Sequence, residues 1–233
     1  MAWTPLLFSG GLAFMLFSLF MAVPFGEPLM RVGGMIQQTD GELGAANLVT
    51  AVVLGYRALD TLGELAILFA ASTSVGLILT GVKQRTVSVE CEELGELFEQ
   101  ASTLLLPLLI MVGFYIITHG HLTPGGGFQG GVIIAVALFL PTLAGRGAAL
   151  LNHRLIQQVE GGAGALFILL GVAALLQGES FLQPWLPVGE IGALFSAGTL
   201  PLLYLAVGIK VGAELAALLT HLSTNVPSPE VPR

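Results

Sequence analysis

The sequence predicts an all-α, polytopic membrane protein of about six spans, two plus four, with one short re-entrant or interfacial helix. Three observations carry this. Of 233 residues, 55% are hydrophobic and only 10% charged, with a mean hydropathy of +0.88, whereas soluble domains hold about 25% charged residues. The apolar residues come in long runs, as over 104–118, without the alternation of a transmembrane β-barrel. At about 20 residues per span plus connections, the length accommodates about six spans. The same composition argues against other classes. Eight Lys and Arg against fifteen Asp and Glu do not suit a nucleic-acid binder, and one Cys makes no disulfide scaffold. A chain this apolar is not a disordered one.

The first span is expected at about residues 5–23. No Lys or Arg precedes it, so it reads as a retained helix and not as a signal peptide. A Gly- and Pro-containing loop with Arg31 follows. Residues 47–59 are apolar but too short to cross. The second span, about 61–80, carries Glu64 one turn inside. Residues 83–100 are hydrophilic and hold Glu90, Glu92, Glu93, Glu96 and Glu99. They read as an acidic cytoplasmic linker between a two-helix module, 1–82, and a four-helix module, 101–222. The later spans fall at about 101–118, up to 144, about 161–176, and up to 219, with a loose tail at 223–233. Lys83, Arg85, Arg146, Arg154 and Arg233 then share one face. The positive-inside rule makes that face cytoplasmic, with both termini on it, in a cell's plasma membrane.

Four features could carry chemistry. From Pro124 to Gly131, six of eight residues are Gly or Pro. At about 1 kcal/mol per Gly and 3 per Pro, such a run is not expected to be ordinary helix. It reads either as a broken helix lining a polar cavity or as a turn that lets helices pack closely. Glu64 is a carboxylate within a span, a costly placement that suits proton relay. Arg57, Asp60 and Glu64 share one face if the helix extends back to Arg57. The alternative makes Asp60 the N-cap and Glu64 a first-turn acid. Lys210 and Glu214, four apart, can pair; they read as a buried charge pair in an ion path or, the favoured account, as a lysine snorkelling toward the helix end. His119 and His121 suit proton acceptance or an interfacial role better than metal binding. No nucleophile cluster, cofactor fingerprint or metal signature is apparent, so neither a cofactor nor an enzyme active site is expected.

The run from Thr118 to Val132, with Gly120-His121 and then Pro124-Gly125-Gly126-Gly127-Phe128-Gln129-Gly130-Gly131, closely resembles the signature of the B-type (MnhB) component of the multisubunit Mrp (Mnh) sodium/proton antiporters. Residues 47–64, with the core Arg57-Ala58-Leu59-Asp60-Thr61-Leu62-Gly63-Glu64, resemble the C-terminal end of the large A-type component of those antiporters and the small separate chain matching it in membrane-bound hydrogenases. Gly55 stands where that pattern has Asp. The resemblance implies an accessory subunit that contributes to sodium/proton translocation and assembly. The host would be an Mrp-type antiporter or a redox-driven relative of the membrane-bound hydrogenase or sulfane reductase type. A purely structural scaffold is the other reading. The implied partners are antiporter components of the A, C, D, E, F and G types, or hydrogenase-like membrane subunits. Membrane lipid and the ions Na+ and H+ complete the set, with no nucleic acid.

Overall fold

The computed structural model describes residues 3–22, 42–81, 96–144 and 153–224. They belong to two compact units, Met1–Thr39 and Asp40–Arg233. The first unit contributes helix α1 (Trp3–Ala22), which has no charged residue. Leu7, Phe14 and Phe17 are exposed on it, as expected of a helix that is hydrophobic all round and needs lipid or protein about it.

The second unit begins with a short interrupted helix. Asn47 caps α2 (Leu48–Thr50), its side-chain oxygen accepting from the Val49 N–H at 3.1 Å. The chain widens into a π-helical turn, Ala51–Tyr56, and breaks at Arg57. Helix α3 (Ala58–Gly81) starts immediately after. The Thr61 hydroxyl donates to the Val53 carbonyl at 2.7 Å, folding the start of α3 onto the π turn. Then come α4 (Glu96–Thr118), α5 (Gly127–Leu143), α6 (His153–Leu176) and α7 (Leu200–Thr224).

Helices α3, α4, α6 and α7 are long and apolar enough to cross a membrane, and α5 is apolar but only 17 residues long. With α1, this makes six apolar helices and one short extra among the described residues, none of which is in a strand. The chain is a multi-pass helical membrane protein. Helix α7 is its axis: α3, α4, α5 and α6 all pack on it, burying Ala206, Val207, Val211 and Ala216. Between α6 and α7 the chain is irregular and folds back into the core through buried Leu182 and Ala197. Helix α3 exposes Leu59, Ile67, Phe69 and Ile78. In a membrane such a face meets lipid or a neighbouring protein.

Three expectations need correction. Helix α3 starts ahead of Asp60, whose N–H donates to the Arg57 carbonyl at 2.9 Å, so Asp60 lies in the first turn and is not the N-cap. Arg57 is outside the helix, so the three-residue helical face reduces to Asp60 and Glu64. Helix α4 reaches back to Glu96 and takes the end of the acidic strip into the helix. Helix α6 begins at His153, eight residues before the apolar run that marked the span. Residues 23–41, 82–95, 145–152 and 225–233 lie outside the described residues. So do most of the linker, the tail, and the basic residues Arg31, Lys83, Arg85, Arg146 and Arg233.

Candidate functional site

Helix α4 ends at Thr118, and the chain turns through residues 119–126 before α5. Helix α2 holds this turn. Asn47 Nδ2 donates to the carbonyls of Gly120 and Thr123, both at 2.9 Å. The Asn47 backbone N–H donates to the His121 carbonyl at 3.0 Å, and the Thr50 hydroxyl donates to the Gly120 carbonyl at 2.6 Å. Gly126 closes the turn at φ +143°, and a Cβ there would stand 2.7 Å from the Tyr204 ring. From Gly127 on the glycine run is helix, contrary to expectation. Gly127, Gly130 and Gly131 bring α5 against the backbones of α4 and α7: a Cβ on each would meet the carbonyl oxygens of Tyr204, Gly113 and Gly208 at 2.7, 2.5 and 2.8 Å. The helix penalty of glycine is outweighed where its absent side chain lets backbones touch. Phe128 is half-buried against the core, and Pro124 and Gln129 are exposed.

The two histidines do different things. The His119 ring stacks on Tyr115, with centroids 4.1 Å apart, and its Nδ1 sits 3.1 Å from the Thr118 hydroxyl. His121 is fully buried, and neither ring nitrogen has a hydrogen-bond partner among the described residues. Burial holds its pKa below the usual 6.5; the nearby backbone of Ala193 and Leu194 favours the charged form, and His119 opposes it. No three His, Cys, Asp or Glu side chains among the described residues converge at metal-binding spacing.

Glu64 is exposed on α3 and lines two depressions that share Val53 and Thr61. One, about 180 Å³, brings Glu64 together with Gln129, Tyr204 and Val207. The other, about 380 Å³, brings it together with Arg57 and Asp60, which form an exposed ion pair. Glu64 therefore faces the glycine-run helix on one side and the ion pair on the other.

The Lys210–Glu214 pair is not at a helix end. The apolar stretch of α7, Leu200–Leu222, has its midpoint at 211. Lys210 Nζ donates to Glu214 Oε2 at 3.1 Å and to Glu160 Oε1 at 3.4 Å. It also lies 5.2 Å from the centroid of Phe69. Glu214 is fully buried and its Oε1 has no partner among the described residues. The snorkelling reading gives way to a buried Lys210–Glu214 pair with the half-buried Glu160 against it. Glu160 was missed because it precedes the apolar run taken as the fifth span. Its spacing to Gly164 and Phe167 on one helical face was the available signal: Phe167 is buried, and a Cβ at Gly164 would lie 3.5 Å from the Lys210 stem.

A bundle of apolar helices with paired charges inside it defines a polytopic integral membrane protein with an intramembrane charge site. The model of the domain related to the MnhB subunit of Na+/H+ antiporters matches residues 97–217, and the chain belongs to that family. An uncharacterized protein of Methanocaldococcus jannaschii is 31% identical over 194 residues, covering 73% of this chain and 74% of that protein. A probable K+/H+ antiporter protein of Rhizobium meliloti, of combined A/B type, is 27% identical over 127 residues, 45% of this chain but 13% of that protein. Among solved structures, a chain of the membrane-bound sulfane sulfur reductase, an archaeal respiratory membrane complex, is 38% identical with a TM-score of 0.74. That match covers 94% of this chain and 96% of the reductase chain. A chain of the Mrp complex from a Dietzia species shares the fold, with a TM-score of 0.71 at 23% identity, and this chain spans 27% of its length.

Proposed function

We propose that this chain is an accessory subunit of an Mrp-type cation/proton antiporter module, housed in a redox-driven respiratory complex of the plasma membrane. The observation that carries the host is the extent of the likeness. It runs over 96% of the sulfane sulfur reductase chain, at 38% identity, against 27% of the Mrp chain. The K+/H+ antiporter relative supports the second host, a plain antiporter. In both readings the chain supplies transport groups and no enzyme active site of its own. Residues 1–82 and 101–222 act as two modules joined by 83–100, with both termini cytoplasmic. The partners are antiporter components of the A, C, D, E, F and G types or hydrogenase-like membrane subunits, and the cargo is Na+ and H+.

Within the chain, Glu64 is the residue assigned to the ion path, with Arg57 and Asp60 beside it. A carboxylate at membrane depth costs about 2.5–3.5 kcal/mol on insertion scales and is kept where it faces water, an ion or a neighbouring protein. The cavity it shares with Gln129 and Tyr204 supports this assignment. Two measurements test the proposal. Affinity purification of the tagged chain in mild detergent should bring down other antiporter-type subunits together with redox subunits. A stable monomer that moves sodium alone in liposomes would overturn the host. Glu64→Gln keeps size and hydrogen bonding but cannot titrate. The assembled variant should lose sodium-dependent proton movement, and wild-type transport by it across several pH values would overturn the relay role.

A further inference from the structure

The charge cluster on α6 and α7 is separate from the Glu64 path and carries its own chemistry. Two carboxylates, Glu160 and Glu214, face one ammonium, Lys210. If all three are ionised the cluster has a net negative charge beside the midpoint of an apolar helix. Among the described residues, the helices packed on α6 and α7 place no second cation beside the cluster. Helix α5 has no titratable residue. Helix α3 presents the Phe69 ring to Lys210 and, more than a turn earlier, Glu64. Helix α4 meets α7 at Ile117 against Gly208, and its acids Glu96 and Glu99 are about five turns or more from that contact. Arg154 on α6 is exposed and lies nearly two turns before Glu160, and His221 is about two turns past Glu214. An unbalanced charge in this setting is strongly disfavoured, so the cluster calls for one more positive charge. A metal cation needs several oxygen ligands, and the buried oxygen left free here is Glu214 Oε1. A proton needs one.

We propose that Glu160, Lys210 and Glu214 hold a single exchangeable proton at the middle of the membrane. This deepens the ion-transport reading and rests on it. On uptake, an O–H bond forms at a carboxylate oxygen as a hydronium ion gives up its proton and becomes water. On release, that O–H bond breaks, the proton returns to water, and Lys210 stays an ammonium that steadies the carboxylate left behind.

The test uses the intact complex, reconstituted in liposomes, with two readouts: proton movement, and the infrared C=O stretch of a protonated carboxyl. Glu214→Gln should assemble, lose that band, and lose proton movement by about a hundredfold, the scale of a lost proton-transfer group. Should it not assemble, Glu160→Gln leaves the buried Lys210–Glu214 bond in place and carries the same two readouts. The double change Lys210→Met with Glu214→Met replaces the pair with apolar side chains. Wild-type proton movement by that assembled variant would make the cluster a structural ion pair and overturn the proposal. So would an unchanged infrared band in both Gln variants. A wild-type complex that moved no ions would overturn the transport reading, while the infrared band would still decide whether the cluster holds a proton.

Discussion

Gly130→Ala is the most direct test of the packing described for the glycine run. The added methyl would stand 2.5 Å from the Gly113 carbonyl oxygen and 2.5 Å from Ile117 Cγ1. Nonbonded carbon contacts settle at about 3.5–4.0 Å, so α4 and α5 must part by roughly 1 Å at their closest approach. The Gly113 oxygen belongs to the backbone of a 23-residue helix and cannot swing aside. Overpacking of this kind costs about 1–3 kcal/mol, and the better helix propensity of Ala returns about 1 kcal/mol. A net loss of about 1 kcal/mol, within a range of about 0–2, is expected. Gly161→Ala is the control, since a Cβ there meets nothing within 4 Å and the helix-propensity gain stands alone. The assay is the thermal midpoint of the purified complex in detergent, with the yield of assembled complex beside it. Gly130→Ala should melt below wild type and Gly161→Ala at or above it. A Gly130→Ala complex as stable as wild type would show that α4 and α5 do not meet through these glycines.

Thr50→Val removes the 2.6 Å bond to the Gly120 carbonyl and should cost about 1 kcal/mol of stability in the same assay, because Asn47 still serves that oxygen. Adding Asn47→Leu leaves the oxygen bare, so the double variant should lose more than the sum of the singles; strict additivity would argue against the shared acceptor. His121, held below 6.5 by burial, takes up its proton at lower pH in the folded chain than in the unfolded chain, which binds one near 6.5. Its contribution is therefore present above about pH 6.5 and lost as the pH falls below it. The midpoint of wild type should fall relative to His121→Leu as the pH drops below about 6.5, and parallel curves would refute this.

The apolar helices were legible because burial in lipid needs unbroken hydrophobic runs, and composition alone records those. Their ends were not. Helix α6 starts at His153 and α4 at Glu96, where polar residues continue a helix that the apolar signal does not mark. That is why Glu160 reads as loop in the sequence; Lys210–Glu214 reads as a pair near a helix end because α7 runs on through polar residues to Thr224, past the expected end at 219. The glycine run stands out as unusual, yet propensity predicts a break where tertiary contact makes helix from Gly127 onward. Propensity is a property of one segment, and the contact that overrides it is supplied by Gly113 and Gly208, on other helices. Glu64 is visible in the sequence as a carboxylate in an apolar stretch. Its neighbour Gln129 is 65 positions away, and no periodicity joins them.

The two modules proposed above, 1–82 and 101–222, meet through contacts that bear on how the proposed path is built. Asn47 and Thr50, from the first piece, hold backbone carbonyls of the turn at 119–126 in the second. Helix α3, also from the first, packs on α7. The cavity beside Glu64 takes its acid from α3, its amide from α5, and Tyr204 and Val207 from α7. Neither piece alone forms that lining. The clamp acts on main-chain carbonyls, so the acceptors it needs survive almost any side-chain change in the turn. What must persist is the turn's shape, and Gly126, with φ +143° and Tyr204 against it, sets that shape. The Gly-rich signature and the polar residues of α2 are therefore two halves of one device. It fixes α2 against the turn, and through the bond from Thr61 to Val53 it fixes the first turn of α3, one turn before Glu64. A loosened turn should thus disturb Glu64 without touching it.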